Sequence, residues 1–206
     1  EGTNLKREWN FSVDARDKIE ITGYWNFSSG LKAAIGSPLQ FLDGEKGATA
    51  NATEFGSTGD FGIPDIDGKS TTVMKVGHVG SNANFGYLMD HGITPNGGGK
   101  KVNQYTIVYD IHFTGGGNGW ASLLNMDSQG DGDVFWRRND GGLGQGGGGY
   151  EPDDPELKVN KGQWHRIVLA VDLAQGLYEK YIDGVYHSSQ ANAGLDGRQS
   201  MKQSAW

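Results

Sequence analysis

Three carboxylates in the second half of the chain have the type and spacing of ligands for a hard cation. Asp127, Asp131 and Asp133 fall in the segment Asp-Ser-Gln-Gly-Asp-Gly-Asp. Calcium takes about six to eight oxygen ligands, which a glycine-broken acidic loop can supply. An EF-hand does not fit, because Arg138 stands where that loop needs a bidentate Glu. A calcium site at a sheet edge is therefore one interpretation, and a simple turn built from Asp and Gly is the other. A second acidic loop offers a similar set: Asp60, Asp65 and Asp67.

Aromatic side chains near glycine-rich turns form the second candidate site. An indole or phenol ring can stack its face on a sugar, and Trp120, Trp136 and Tyr150 stand next to Gly or Arg, as Trp25 does next to Asn. Arg137 and Arg138 follow Trp136 and match a carboxylate or sulfate with two parallel hydrogen bonds. Burial of the rings and pairing of the arginines with the chain's own acids are the alternatives. The predicted ligand-binding residues are Trp120, Trp136, Arg137, Arg138 and Tyr150.

Short strands must position these side chains. The odd positions from Tyr105 to Phe113 are apolar, which predicts a strand with one buried face over residues 104–113. Both faces are apolar between His165 and Val171, so a central strand is expected over residues 163–172. Further strands are predicted at residues 18–24, 71–76, 85–90 and 134–138. The glycine-rich stretches 41–69 and 141–149 are predicted as a long link and a mobile loop. A single domain spanning residues 1–206 is expected.

Two motifs carry a family resemblance. Trp164-His165-Arg166 opens one predicted strand, and Tyr181-Ile182-Asp183-Gly184 ends the next. With the early aromatic segment Glu8-Trp9-Asn10-Phe11, they resemble the laminin-G-like jelly rolls of the concanavalin-A-like superfamily, which occur as modules of extracellular bacterial proteins. The resemblance implies an all-β, two-sheet antiparallel jelly-roll sandwich that binds rather than catalyses. Because domains of this family often carry a calcium ion, calcium is the one cofactor that the resemblance suggests, and the alternative is that there is none.

The resemblance sets an expectation for the C-terminus as well. Domains of this family continue beyond an Asp-Gly-Arg such as Asp196-Gly197-Arg198 with strands that pair beside the N-terminal one, here residues 6–11. Those C-terminal strands are expected to be missing. Either the sequence is truncated, or another chain supplies the strand and the protein self-associates through an open sheet edge.

Catalytic motifs are incomplete. Glycoside hydrolases of this superfamily need two carboxylates about 5–10 Å apart, and Asp131 and Asp133 fall at the entrance of a predicted strand rather than in the middle of a sheet face. Gln163-Trp164-His165 imitates part of a polysaccharide lyase site, but His165 continues the apolar face of Ile167, so a hydrogen-bonded core histidine is expected. No Gly-x-Ser-x-Gly elbow is present. The prediction is a protein without enzymatic activity, and a polysaccharide-degrading enzyme is the alternative.

Composition excludes several partners. The net charge of −7 and the pI near 5.1 disfavour nucleic acid, and no apolar run reaches the roughly 20 residues of a membrane helix. The absence of cysteine favours a bacterial secreted or cell-surface protein over a disulfide-stabilised ectodomain. The expected function is an extracellular recognition or adhesion module for carbohydrate or a surface protein. A structural subunit of a fibre or sheath, assembled by strand donation, is the other alternative.

Overall fold

The structure is a computed structural model, and it describes residues 20–80, 85–115, 119–126, 134–145, 150, 154–189, 194–202 and 204–205. Twelve strands and one short α-helix occur in these ranges: β1 Gln40–Phe41, α1 Ala48–Asn51, β2 Thr53–Ser57, β3 Thr72–Val76, β4 Tyr87–Asp90, β5 Gln104–His112, β6 Ala121–Asn125, β7 Val134–Arg137, β8 Leu143–Gln145, β9 Trp164–Asp172, β10 Leu177–Ile182, β11 Val185–Ser189 and β12 Ser204–Ala205. A 3-10 turn covers Pro155–Leu157. The prediction of an all-β fold is confirmed.

Antiparallel pairing organises the described strands into four sheets. The largest has the order β11-β10-β9-β5, and β9 lies inside it as the sequence predicted. A three-stranded sheet has the order β6-β7-β8, and a second one has the order β1-β4-β12. The remaining sheet is the β2-β3 hairpin. Residues 6–11, which the strand-donation hypothesis concerns, lie outside the described residues, so that hypothesis stays a prediction.

The core lies between the β11-β10-β9-β5 sheet and the β6-β7-β8 sheet. The large sheet contributes fully buried side chains to this core, among them Ile167 and Leu169 of β9 and Tyr178 of β10. The smaller sheet contributes Phe135 and Leu143, which are also fully buried. The alternate residues of β9 point to the other face and are less buried. Burial of one face on each sheet, with the two faces packed together, makes this an antiparallel β-sandwich.

The two motifs of the family resemblance meet at one end of β9. Asp183 and Gly184 have φ values of 50° and 79°, the geometry of a type I′ turn, and they join β10 to β11. The Asp183 carboxylate is 2.7 Å from Nδ1 of His165 and accepts a hydrogen bond of 2.7 Å from the backbone N–H of Arg166. His165 is buried, and its Nε2 accepts from the backbone N–H of Asn160. The prediction of a hydrogen-bonded core histidine is confirmed.

Three loop and strand predictions differ from the structure. Residues 53–57 form β2 within the predicted link, because they pair along their whole length with β3. Residues 143–145 form β8 within the predicted mobile loop, because Leu143 is fully buried and Gln145 nearly so. Of the strand predicted at 18–24, the described part makes only an isolated bridge between Tyr24 and Ile35. In the described ranges, no helix has the length and apolar character needed to cross a membrane.

Candidate functional site

The turn between β7 and β8 positions the polar part of the candidate site. The backbone N–H of Arg138 donates to the carbonyl of Gly142, and the N–H of Gly141 donates to the carbonyl of Arg138. The loop Asn139-Asp140-Gly141 therefore has three residues, with Gly141 in the left-handed region at a φ of 91°. A Cβ atom on Gly141 would lie 2.9 Å from the carbonyl oxygen of Val159. The backbone N–H of Val159 in turn donates to the Gly141 carbonyl, which holds residues 158–159 against the turn.

Three rings from separate parts of the chain meet beside this turn. Trp120 precedes β6, Trp136 belongs to β7 opposite Ser122 and Gly144, and Tyr150 follows β8. The Trp120 and Trp136 centroids are 6.3 Å apart, with the planes at 84°. The Trp120 and Tyr150 centroids are 5.0 Å apart, with the planes at 81°. Both pairs have the edge-to-face geometry that aromatic side chains favour. We call Trp120, Trp136 and Tyr150 the aromatic cluster.

Exposure differs sharply within the aromatic cluster. Trp120 is 54% exposed, Trp136 is half-buried and Tyr150 is only 9% exposed. The Trp120 ring is nearly perpendicular to both neighbouring rings, and about half of its own surface remains open to solvent. Trp120 is therefore the ring of the aromatic cluster that is most accessible to a ligand.

A polar rim, which we define as Arg138, Asp140 and Lys158, borders the aromatic cluster. Arg138 donates to Asp140 from Nε at 2.7 Å and from Nη2 at 2.5 Å, a forked contact on one carboxylate. Lys158 Nζ lies 3.4 Å from the same carboxylate. The Arg138 guanidinium carbon is 5.3 Å from the Tyr150 ring centroid, so the rim and the rings adjoin. The pairing of Arg138 with an acid of the chain, one of the two alternatives, is present.

Charge and burial perturb two groups at this end of the sandwich. The hydrogen bond from Arg138 holds the pKa of the Asp140 carboxyl well below its usual range, and the backbone N–H of Gly142 acts in the same direction. Burial lowers the pKa of Arg137, whereas the negative charge of Asp140 acts to raise it. Asp140 therefore remains ionised at any physiological pH, and the polar rim keeps both signs of charge.

Arg137 occupies a different place from the one expected. It is 4% exposed, its Nε donates to the carbonyl of Val159 at 2.9 Å, and its guanidinium lies 4.5 Å from the Phe113 ring centroid. Alternation along β7 explains this, because Trp136 and Arg137 must point to opposite faces. The predicted set is thus divided: four residues meet at one site, and Arg137 packs inside the sandwich.

The predicted metal ligands Asp127, Asp131 and Asp133 lie outside the described residues. The second acidic loop is described, and its carboxylates serve separate turns. Asp60 accepts from the backbone N–H of Ser57, Asp65 pairs with the hydroxyl of Thr58, and Asp67 is part of a turn between Ile66 and Lys69. Across the described ranges, no three His, Asp or Glu side chains are grouped to hold a metal ion.

Trp25 lines a separate concavity rather than the aromatic cluster. A groove of about 100 Å³ lies between the arm Thr22–Trp25, the strand β5 and residues 89–93. The Trp25 indole N–H donates to the carbonyl of Ser37, which fixes the ring at the groove wall. The lining is mostly apolar, with His91 buried and engaged at both ring nitrogens.

Two members of the polar rim escaped the sequence analysis. Asp140 sits in an Asn-Asp-Gly-Gly segment that indicates a turn, and the adjacent Arg138 is the signal that could have identified it as a partner. Lys158 had no local signal, because a backbone contact between residues distant in sequence places it there.

The fold and this site define an antiparallel β-sandwich with a cluster of rings and charges at the edge of one sheet. No family model matches the chain, and no curated protein matches it. Among solved structures, the chain is similar to domain 4 of AbnA, a GH43 extracellular arabinanase from Geobacillus stearothermophilus, in complex with arabinotriose. The identity is 18%, the TM-score is 0.48, and the match covers 89% of this chain and 80% of that one. The architecture and site geometry described above stand independently of this distant likeness.

Proposed function

We propose that this protein is a non-catalytic recognition module that binds carbohydrate through the aromatic cluster. The observation that carries the proposal is Trp120, a 54% exposed indole that packs nearly perpendicular to two other rings. Isolated exposed apolar residues are common on protein surfaces, but a supported and exposed tryptophan next to charged hydrogen-bonding groups is typical of a ligand site. A sugar combines flat C–H faces with many hydroxyl groups, so it complements both the rings and the polar rim.

The arrangement of the polar rim supports the same proposal. Arg138 and Asp140 provide several donors and acceptors, and the Arg138 guanidinium carbon lies 5.3 Å from the centroid of Tyr150, a ring that contacts Trp120. These groups are held in place by the β7–β8 turn and by residues 158–159, and not by a long free loop. A site whose geometry is set before binding loses less entropy when the ligand arrives.

The non-catalytic part of the proposal rests on His165. Its Nδ1 contacts Asp183, and its Nε2 accepts a hydrogen bond from the backbone N–H of Asn160. Both nitrogens of the imidazole that resembled part of a lyase motif therefore make hydrogen bonds within the fold. An assay for new reducing ends and unsaturated products across common polysaccharides checks this. Product formation above the level of a heat-denatured sample would contradict the proposal.

The cellular setting and cofactor are part of the proposal as well. We place the module outside the cell, as the laminin-G-like resemblance implies, with a glycan or a surface protein as partner. Calcium at Asp127, Asp131 and Asp133 remains the metal hypothesis. An ion that binds only the folded state raises stability by about 2.7 kcal/mol at a hundredfold excess over its Kd. Identical melting curves with chelator and with millimolar calcium would contradict the calcium hypothesis.

The binding proposal is tested by a glycan array followed by calorimetric titration of the best ligand. Trp120→Ala should weaken binding at least about tenfold, or about 1.4 kcal/mol, because it removes the exposed stacking surface. Tyr24→Ala is the matched control, since Tyr24 is a 52% exposed aromatic residue away from the cluster. Equal affinities for the two variants, or no glycan bound by the unmodified protein, would overturn the proposal.

A further inference from the structure

We propose that the ligand of the aromatic cluster is an anionic glycan, bound when its carboxylate or sulfate replaces Asp140 on Arg138; the inference rests on the proposed function and names the ligand class for that site. In the unliganded protein Asp140 acts as an internal competitor for this position.

The forked contact between Arg138 and Asp140 shows what Arg138 is shaped to bind. Two guanidinium nitrogens reach the two carboxylate oxygens of Asp140 at 2.7 and 2.5 Å. A planar fork of donors recognises a carboxylate or a sulfate, whereas a neutral sugar hydroxyl uses one donor at a time. The contact between Arg138 and Asp140 thus has the same geometry, within the protein, as the contact proposed between Arg138 and the acidic group of a ligand.

Two cationic side chains adjoin the Asp140 carboxylate. Arg138 and Lys158 contact Asp140, and Arg137 lies close enough for the charge of Asp140 to affect its pKa. These two contacts place positive charge next to one described carboxylate, in a chain whose net charge is −7. A ligand with a negative group would be attracted by the charges of Arg138 and Lys158.

Solvent already reaches the contact that must open. The side chains of Arg138 and Asp140 are 32% and 35% exposed. Ion pairs with this exposure contribute little to stability, because water solvates each partner well when they separate. Exchange of the Asp140 carboxylate for one from a ligand therefore replaces one solvated ion pair by another, at the cost of the Asp140 hydrogen bond from the Gly142 N–H if Asp140 moves fully into water.

The fork and the rings are near enough to act on one ligand. The Arg138 guanidinium carbon is 5.3 Å from the Tyr150 centroid, and Tyr150 is 5.0 Å from the Trp120 centroid. A short oligosaccharide that stacks on Trp120 can thus place an acidic group at Arg138.

Substitutions of Arg138 and Asp140 should change affinity in opposite directions, which a merely structural ion pair would not produce. Asp140→Asn removes the competing charge but retains an oxygen that can accept the 3.1 Å hydrogen bond from the Gly142 N–H, so the turn should persist. Arg138→Gln should weaken binding of an acidic oligosaccharide about tenfold or more, and Asp140→Asn should strengthen it several-fold. Arg138→Lys, which keeps the charge without the fork, should bind with intermediate affinity.

The experiment titrates the protein with three probes: an oligogalacturonate, the same oligosaccharide with its carboxylates reduced to alcohols, and a sulfated galactan oligosaccharide. We expect binding of the first, the third or both, weakened by salt, with the opposite responses of the Arg138 and Asp140 variants. Preference for the carboxylate or the sulfate probe identifies the source of the anion. Equal binding of the reduced probe, lost in Trp120→Ala but unchanged in Asp140→Asn and Arg138→Gln, would overturn the anionic class and leave carbohydrate binding intact. No binding of any glycan would overturn the proposed function itself.

Discussion

The sandwich interior and the β7–β8 end both contain cationic side chains, and they differ in access to water. Lys180 is fully buried between the sheets, where burial lowers its pKa to about 7. Arg138 is partly exposed and shares a carboxylate with Lys158. A buried charge must be neutralised or compensated inside the fold, whereas an exposed pair can exchange one partner for another. At neutral and alkaline pH the interior therefore determines how stability depends on pH, and the rim is free to serve recognition.

Removal of the interior amine should change the pH dependence of stability most. Because the Lys180 pKa is about 7 in the folded protein and about 10.5 ordinarily, the folded state binds fewer protons between these values. Stability should then rise with pH across this window, by at most about 1.4 kcal/mol per pH unit, and be lost as pH falls through it. His187, whose pKa burial lowers to about 4, adds a rise between about pH 4 and 6.5.

Urea unfolding of Lys180→Met between pH 7 and 9.5 measures this effect. The variant should lose the rise in this range and keep a rise at lower pH from His187. A slope equal to that of the unmodified protein would show that Lys180 stays protonated in the folded state.

Loss of the Asp183 carboxylate should have the next largest effect. Asp183→Ala leaves a nitrogen of buried His165 and the Arg166 N–H without this acceptor, and it puts a Cβ-bearing residue without a polar side chain at a φ of 50°. We expect a loss of about 2–4 kcal/mol from the free energy of unfolding. Asp183→Asn, which retains an acceptor and tolerates this backbone region, should lose clearly less. Equal losses in chemical denaturation would contradict the role given to the carboxylate.

A side chain at Gly141 should damage both stability and the site. Gly141→Ala adds backbone strain of about 1–2 kcal/mol and a Cβ 2.9 Å from the Val159 carbonyl, next to Lys158. Gly62→Ala is the control, because Gly62 has a φ of 63° with nothing within 4 Å of its added Cβ. The Gly141 variant should melt lower than the Gly62 variant and bind glycan more weakly. The same melting temperature in both would mean that the contact with residues 158–159 is unimportant.

The exposed ion pair should matter least for folding. Asp140→Asn is expected to change the free energy of unfolding by less than about 1 kcal/mol, because both partners are partly solvated. Chemical denaturation provides the value, and a much larger loss would place the Arg138–Asp140 contact among the structural pairs such as His165–Asp183.

The sequence predicted the regular parts of the molecule better than the short ones. Alternation located β5, a run that is apolar on both faces located β9, and the Tyr-Ile-Asp-Gly motif marked the turn after β10, since these patterns are local properties. β2 and β8 were missed, because their strand character comes from pairing and from a buried Leu143 within a glycine-rich segment. Tertiary contacts also decided that Arg137 points inward and that Lys158 joins the site.

The most direct test of carbohydrate binding at the aromatic cluster follows the indole N–H signals of the six tryptophans by NMR as glycan is added. The Trp120 and Trp136 signals should shift in a saturable manner. Those of Trp25 and Trp164, whose indole nitrogens donate to the carbonyls of Ser37 and Pro64, should stay in place and act as internal references. Shifts at Trp25 or Trp164 with none at Trp120 and Trp136 would place the ligand elsewhere and contradict the proposed site.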